Sequence, residues 1–186
     1  MRERRFKKIR SPRREILVIC EGETEERYVE ILKRHYRLPI TIKSRVVGNK
    51  ITPRLISRIR KELQLENDND CITVYLYDSD VKEVVNKLKA LRGILILSNP
   101  SIELWFLYHT TGLNRHTTSR EALKLLQDSA MEWKTYEKGT FNSSQESLLL
   151  KNIETACKRA KESAWPDNPS TNMHRFIELL EGEGKS

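Results

Sequence analysis

Two acidic runs stand directly behind two aliphatic runs in this chain. Glu15–Cys20 opens onto Glu21-Gly22-Glu23-Thr24-Glu25-Glu26, and Ile72–Tyr77 opens onto Asp78-Ser79-Asp80. If the two aliphatic runs are neighbouring strands of a parallel sheet, Glu21, Glu25, Asp78 and Asp80 converge beyond the strands' carboxyl ends. Open sheets bind their ligands there. Two bare carboxylates brought to about 4 Å repel by roughly 4 kcal/mol at an effective dielectric near 20. One must then take up a proton or turn away, unless a cation stands between them. Hard oxygen donors suit Mg²⁺ or Mn²⁺ rather than zinc, with waters and substrate phosphates completing the shell. The chemistry that follows is metal-assisted hydrolysis at phosphorus.

Bland alternatives exist for most of these acids. Glu23, Glu25 and Glu26 suit the first turn of a helix, where they face the positive end of its dipole. Asp78 or Asp80 could cap a helix beginning at Val81. Glu21 fits neither description, because it ends a buried strand before any helix begins.

Four more residues are candidates. Glu103 is the only charge in Ile102–Tyr108. If buried it must be paired or metal-bound; otherwise it is a partly exposed acid in the first turns of a helix starting at Pro100. Ser98 and Asn172 could hold backbone phosphates. His174 could orient a phosphate or accept a proton near neutral pH, or lie on the polar face opposite Met173, Phe176 and Ile177. His35, His109 and His116 show no metal-ligand spacing. Cys20, Cys71 and Cys157 read as core thiols. Gly184-Lys185-Ser186 mimics the end of a phosphate-binding loop, but position 179 is Leu where that loop needs Gly.

Periodicity predicts the elements that position these side chains. Glu15–Cys20 suits a strand buried on both faces. Gly22 breaks it, and Tyr28, Ile31, Leu32 and Tyr36 predict a helix over 24–36 that Pro39 ends. Ile40–Val47 alternates as a second strand, and Leu55, Ile56, Ile59 and Leu63 stripe a helix behind Thr52-Pro53. The polar stretch Glu66–Asp70 is a loop, and Ile72–Tyr77 a third strand. Val81, Val84, Val85, Leu88 and Leu91 mark a third helix, and Gly93 opens a short strand, Ile94–Leu97. The alternation predicts an α/β fold: a four-stranded parallel sheet with right-handed crossovers and helices on both faces. Beyond Ser101 no strand is predicted. Ile102–Tyr108, Glu121–Leu126, Leu148–Ser163 and Thr171–Leu180 read as a helical C-terminal half, with Tyr136–Glu146 ambiguous. Asn99-Pro100 and Asn168-Pro169 each predict an Asn N-cap followed by Pro at the first helical position. The organisation is a basic tail over 1–14, an α/β core over 15–110 and a helical extension over 111–186, packed as one domain.

Composition narrows the class. The chain has 186 residues, 38% hydrophobic and 32% charged, with no apolar run near 18 residues, so no membrane partner is expected. Three scattered cysteines give neither a disulfide framework nor a zinc site, which fits a reducing, cytoplasmic setting. The formal charge is +8. Residues 1–14 carry net +7 of it, with Arg2, Arg4, Arg5, Lys7, Lys8, Arg10, Arg13 and Arg14 against Glu3, and the remaining 172 residues carry net +1. Such a tail could be an arm for nucleic acid, binding by counterion release, or a frayed, solvated terminus.

The motifs also carry a family resemblance. Ile16-Leu17-Val18-Ile19-Cys20-Glu21-Gly22-Glu23-Thr24-Glu25 resembles the first motif of the Toprim domain, an apolar strand closed by Glu-Gly, and Asp78-Ser79-Asp80 resembles its Asp-x-Asp motif. Ser98-Asn99-Pro100-Ser101-Ile102-Glu103-Leu104-Trp105 and Asn168-Pro169-Ser170-Thr171-Asn172-Met173-His174-Arg175 are similar to stretches of the RloB-like family, associated with bacterial restriction and phage-defence loci. The similarity covers roughly residues 12 to 182. It implies a Toprim core with a divalent-metal nuclease site used in defence, cutting DNA or RNA. Glu21 then matches the Toprim glutamate, as metal ligand or general acid/base, and Asp78 and Asp80 match the metal-holding pair. Glu25 matches the second acid of the Glu-Gly-x-Thr-Glu form of the related overcoming-lysogenization-defect nucleases. The resemblance also implies an ATPase partner as a separate protein.

Two other classes compete. Receiver domains likewise place acids after a first strand and an Asp after a third, but they need a fifth strand with a nearby Lys, and no fifth strand is predicted. A non-catalytic subunit that binds nucleic acid or an ATPase would keep the acids for structure alone.

Overall fold

The computed structural model describes residues 15–37, 41–65 and 71–184. The basic tail 1–14, residues 38–40 with Pro39 and Ile40, the Glu66–Asp70 stretch and Lys185-Ser186 lie outside the described residues. The chain forms the predicted α/β alternation. β1 (Glu15–Cys20), β2 (Thr41–Val46), β3 (Cys71–Asp78) and β4 (Ile94–Asn99) are parallel, and α1 (Glu23–Tyr36), α2 (Pro53–Glu62) and α3 (Lys82–Lys89) connect them. After β4 come α4 (Ile102–Leu107), α5 (Ser119–Ser129), α6 (Ser143–Lys151), α7 (Ile153–Glu162), β5 (Ser170–Thr171) and α8 (His174–Gly184).

The strand order is β2-β1-β3-β4-β5. The chain leaves β1 toward one edge, makes β2, and crosses back to β3 on the other side of β1. The crevice between the carboxyl ends of β1 and β3 is therefore the switch point of the sheet, where two crossovers diverge and a ligand can enter. Cys20 pairs with Leu76 in register, so Glu21 and the end of β3 emerge side by side.

Both faces of the sheet are covered, which explains why β1 is a continuous aliphatic run. Leu17, Ile19, Tyr75, Tyr77 and Leu97 point to α2 and α3, against Ile56, Ile59, Val84 and Leu88. Ile16, Val18, Cys20, Val74, Leu76 and Ile96 point the other way, into the larger core. There α1 contributes Tyr28 and Leu32, α4 contributes Trp105 and Phe106, and the C-terminal half contributes Leu126, Trp133, Tyr136, Ala156 and Phe176. Core and extension share one hydrophobic cluster. His109 belongs to it as well: it is 2% exposed, its Nδ1 lies 2.9 Å from the Trp105 carbonyl, and burial brings its pKa down to about 4. Cys20 and Cys71 are buried and all three thiols are unbridged.

The structure corrects four expectations. Among the described residues the sheet has five strands: Ser170 and Thr171 pair antiparallel with Asn99 and Ser98, and two residues are too few to carry a periodic signal. The last helix accordingly starts at His174 rather than Thr171. Leu148–Ser163 is two helices that meet at Asn152, and the first begins at Ser143 behind an Asn142–Gln145 capping box. Neither Asn99 nor Asn168 caps a helix. Asn99 is held in the β4–β5 ladder, so the N-cap of α4 falls to Ser101. Asn168 cross-links loops instead: its Nδ2 donates to Asn99 Oδ1 at 3.2 Å and to the Thr117 carbonyl at 2.8 Å, and its Oδ1 accepts from Thr117 N at 2.9 Å. Among the described residues no helix is long and apolar enough to cross a membrane.

Candidate functional site

The switch point is lined by acids from separate stretches of backbone. Glu21 follows β1, and its N–H extends the ladder to the Leu76 carbonyl at 3.0 Å. Its Oε2 accepts from Asp78 N at 2.9 Å, which locks the two strand ends together. Glu25 stands at the third position of α1 and folds back so that its Oε2 accepts from Gly22 N at 2.9 Å. Gly22 permits this: a Cβ there would stand 3.2 Å from the same carboxylate oxygen, tighter than most side chains tolerate. The Glu-Gly pair thus ends a strand and clears room for the second acid. Glu25 does serve the helix start, yet it is 5% exposed and faces the other carboxylates.

Asp78 does not cap α3, whose N-cap is Val81 with no side-chain bond. Its Oδ1 accepts from Ile102 N, 2.9 Å away at the start of α4. Asp80 is exposed at the rim and accepts from Ser119 Oγ at 3.3 Å. Glu103 is fully buried, which removes the partly exposed alternative. Its Oε2 accepts from Ser101 Oγ at 2.6 Å, and its Oε1 lies 3.2 Å from Lys138 Nζ and 3.5 Å from the Tyr136 hydroxyl.

The electrostatics are those of crowded, under-neutralised anions. Burial pushes the Glu21 carboxyl above its ordinary range, and Asp80 adds to that, against the Asp78 N–H and Lys138. Burial also raises Glu25, with Glu21 and Glu103 adding repulsion. Asp78 is raised well above the usual aspartate range by burial first, then by Glu25, Glu21 and Glu103. Among the described residues, Lys138 is the one cation that acts on all of these groups. Burial lowers its pKa, but Glu103, Asp78 and Glu25 outweigh that and hold it above the ordinary lysine value. Among the described residues a single ammonium faces Glu21, Glu25, Asp78 and Glu103, and it leaves their negative charge unbalanced.

The donor chemistry fits a hard divalent ion: oxygen ligands whose carboxyls burial and mutual repulsion disfavour as bare anions. In the present rotamers, however, no three His, Cys, Asp or Glu side chains among the described residues are grouped as a metal-holding set. One oxygen each of Glu21, Glu25 and Asp78 is turned to a backbone N–H, and Lys138 occupies Glu103.

The three expected phosphate contacts lie outside this cluster. Ser98 is the register partner of Asp78, but its hydroxyl is 1% exposed and bonds Thr171 Oγ1 at 2.9 Å. Asn172 completes the sheet edge: its Oδ1 accepts from Leu97 N at 2.7 Å and its Nδ2 donates to the Leu95 carbonyl at 2.9 Å. The side-chain amide stands in for a strand that β5 is too short to supply. Asn172→Ala leaves both backbone groups without a partner, so it is expected to cost about 2–3 kcal/mol in chemical denaturation. It should leave the response to Mn²⁺ unchanged, which a phosphate ligand's loss would also do, but a phosphate ligand would spare stability. His174 opens α8 among Glu178, Lys161 and Arg175, and burial lowers its pKa.

Sequence reasoning missed Lys138, Ser101, Tyr136 and Ser119. Lys138 lies in the polar stretch that periodicity left ambiguous, in a loop that Gly139 N ties to Thr24 Oγ1 at 2.9 Å. A lone lysine in a loop carries no spacing signal, and only the tertiary fold brings it to Glu103.

A family model described as RloB-like protein matches residues 16–180, nearly all of the described chain. No curated protein and no solved structure matched.

Proposed function

The chain belongs to the RloB-like family, and from that premise we propose that it is a divalent-metal-dependent nuclease with a Toprim-like core, working in restriction or phage defence. The observation that carries this reading is the four-segment acid cluster. Glu21, Glu25, Asp78 and Glu103 repel one another at the sheet's switch point with one ammonium among the described residues to offset them.

Glu21 and Asp78, with Glu25 and Asp80 beside them, are the residues that would hold Mg²⁺ or Mn²⁺. When bound, such an ion would neutralise the non-bridging phosphate oxygens and lower the pKa of an attacking water. The chain's own residues supply the rest. The Asp78 N–H and Ile102 N–H orient Glu21 and Asp78 by fixing one oxygen of each. Glu103, held by Ser101, places the Lys138 ammonium at the mouth of the site, where it can meet a phosphate. Asp80 and Ser119 form the exposed rim. Work with a separate ATPase subunit belongs to the same proposal and rests on the family resemblance.

The test is incubation of the purified protein with mixed DNA and RNA pools and Mn²⁺, beside Glu21→Ala. Metal-dependent shortening by the wild type alone supports the reading. Equal cleavage by both, or no saturable Mn²⁺ heat in calorimetry, removes it. The second outcome favours the competing reading of a non-catalytic subunit, which the Lys138–Glu103 ion pair supports. A receiver-like phosphoacceptor gains nothing from the fifth strand, which is antiparallel, two residues long and without lysine; an acid-labile adduct with a small phosphodonor would revive it.

A further inference from the structure

The charge count assigns the chain's basicity to its tail and leaves the body nearly neutral, but the body's charges are not evenly spread. From Thr41 to Lys61 the sequence holds Lys43, Arg45, Lys50, Arg54, Arg58, Arg60 and Lys61 and no Asp or Glu. This stretch forms β2 at the edge of the sheet, the turn Gly48–Lys50, and α2 up to its last residue, the exposed Glu62.

Three of the seven are engaged within the fold. Lys43 pairs with Glu15 at 3.2 Å and donates to the Leu63 carbonyl. Arg45 donates to the Ser44 carbonyl, and Arg60 donates to Thr73 Oγ1 and the Leu65 carbonyl. The other four, Lys50, Arg54, Arg58 and Lys61, are exposed, and none has an ion-pair partner among the described residues. On a helix Arg54, Arg58 and Lys61 stand at i, i+4 and i+7 and share a face, while Ile56 and Ile59 are buried on the opposite side. No acid sits in the first turn of α2 to balance them.

The stripe starts at the acid cluster. Val47 N donates to the Cys20 carbonyl at 3.0 Å, and a Cβ on Gly48 would stand 3.7 Å from the Glu21 carbonyl oxygen. The Tyr77 hydroxyl, at the end of β3, donates to the Gly48 carbonyl at 3.1 Å. The turn that carries Lys50 thus begins beside Glu21, and α2 follows it in the chain. From Arg54 to Lys61 the helix rises about 10.5 Å.

We infer that Lys50, Arg54, Arg58 and Lys61 form a phosphate-binding track that holds the backbone of a nucleic acid as it leaves the acid cluster. The inference deepens the nuclease reading and rests on it for the identity of the site at one end. The track is a row of cations along one helix face, so binding through it comes from phosphate neutralisation and is sensitive to salt.

Fluorescence anisotropy tests it on the full chain in EDTA, where no turnover occurs, with 20-mer single-stranded DNA, single-stranded RNA and duplex DNA. Arg54→Glu/Arg58→Glu/Lys61→Glu should weaken binding by at least about 100-fold and reduce the slope of log K against log salt by about 2–3, near 0.7–0.9 for each phosphate no longer neutralised. The preferred probe identifies the strand form held. Unchanged affinity and slope in the triple variant overturn the inference, as does absence of oligonucleotide binding by the wild type at 50 mM salt. Equal, α2-dependent affinity for polyglutamate overturns the nucleic-acid assignment in favour of an acidic protein. If the triple variant fails to fold by circular dichroism, Arg58→Gln/Lys61→Gln gives the same reading with a slope change of about 1–2. The Mn²⁺-induced thermal shift, measured on the same variants, reports the acid cluster separately. A retained shift with unaltered binding sinks the track alone, and a missing shift in the wild type sinks the nuclease reading.

Discussion

Asp78→Asn should reduce Mn²⁺-dependent cleavage by at least about 10³-fold while the protein stays folded. Asp78 is the most crowded of the acids, with Glu25, Glu21 and Glu103 all raising its pKa. Asparagine keeps the shape and still accepts from Ile102 N, so the start of α4 survives. What it removes is the negative charge that a divalent ion requires. The same variant has a second, opposite signature in EDTA. The carboxyls of Glu21, Glu25 and Asp78 are raised in the folded protein. Over the window that opens near pH 4, where unfolded carboxyls ionise, the folded state therefore binds more protons than the unfolded one. Their contribution to stability is fully present below that window and is lost as pH rises through the folded values. The wild-type Tm in EDTA should therefore fall further than that of Asp78→Asn between pH 5.5 and 8, by roughly 2–4 °C for each kcal/mol of repulsion relieved. Comparing variants cancels the contribution of His109, which titrates with the opposite sign. Mn²⁺ should restore the wild type and leave the variant unmoved. Full cleavage by Asp78→Asn, or identical pH slopes for both proteins, would refute the placement of Asp78 at the centre of the cluster.

Glu103→Ala should be strongly destabilising, by about 2–4 kcal/mol, or roughly 4–16 °C in Tm. The carboxylate is fully buried, and its loss opens a void and strips an acceptor from Ser101, itself fully buried. Lys138 suffers less, because its side chain is 53% exposed and can return to water. Lys138→Met instead strands the fully buried Glu103 carboxylate without its cation and should cost a similar amount, whereas Glu103→Gln, which keeps volume and an acceptor for Ser101, should cost about 1 kcal/mol. Urea denaturation ranks the three. A negligible cost for Lys138→Met would mean that the buried hydrogen bond from Ser101, rather than the ion pair, holds the glutamate.

The parallel strands were legible because burial on both faces leaves an unbroken aliphatic signature, as in Ile16–Cys20 and Val74–Tyr77. Glu21 was legible for the same reason: a charge at the end of such a run has no role in a core. Glu25 was readable only in part, since a glutamate in a first turn has an ordinary use, and here it keeps that use while also facing the acids. Ser170–Thr171 was not legible, because a two-residue strand exists only by virtue of the β4 edge it joins. The Asn-Pro pairs misled, since the β4–β5 ladder claims Asn99 and contacts between loops claim Asn168 before either can cap a helix. Asn172 and Ser98 showed a polar type and nothing of their partners, which are backbone groups and a threonine more than seventy residues distant.

By itself the sequence determined the alternation of elements, the acidic strand ends and the acid-free basic stretch from Thr41 to Lys61, because periodicity and charge are local properties of the chain. The tertiary structure alone decided that β1 and β3 are neighbours, that Asp78 turns to α4, and that Lys138 lies against Glu103. Those facts depend on strand order and on loops crossing between distant segments, and the distances that set Coulomb energies and hydrogen bonds come into being only when the chain has packed.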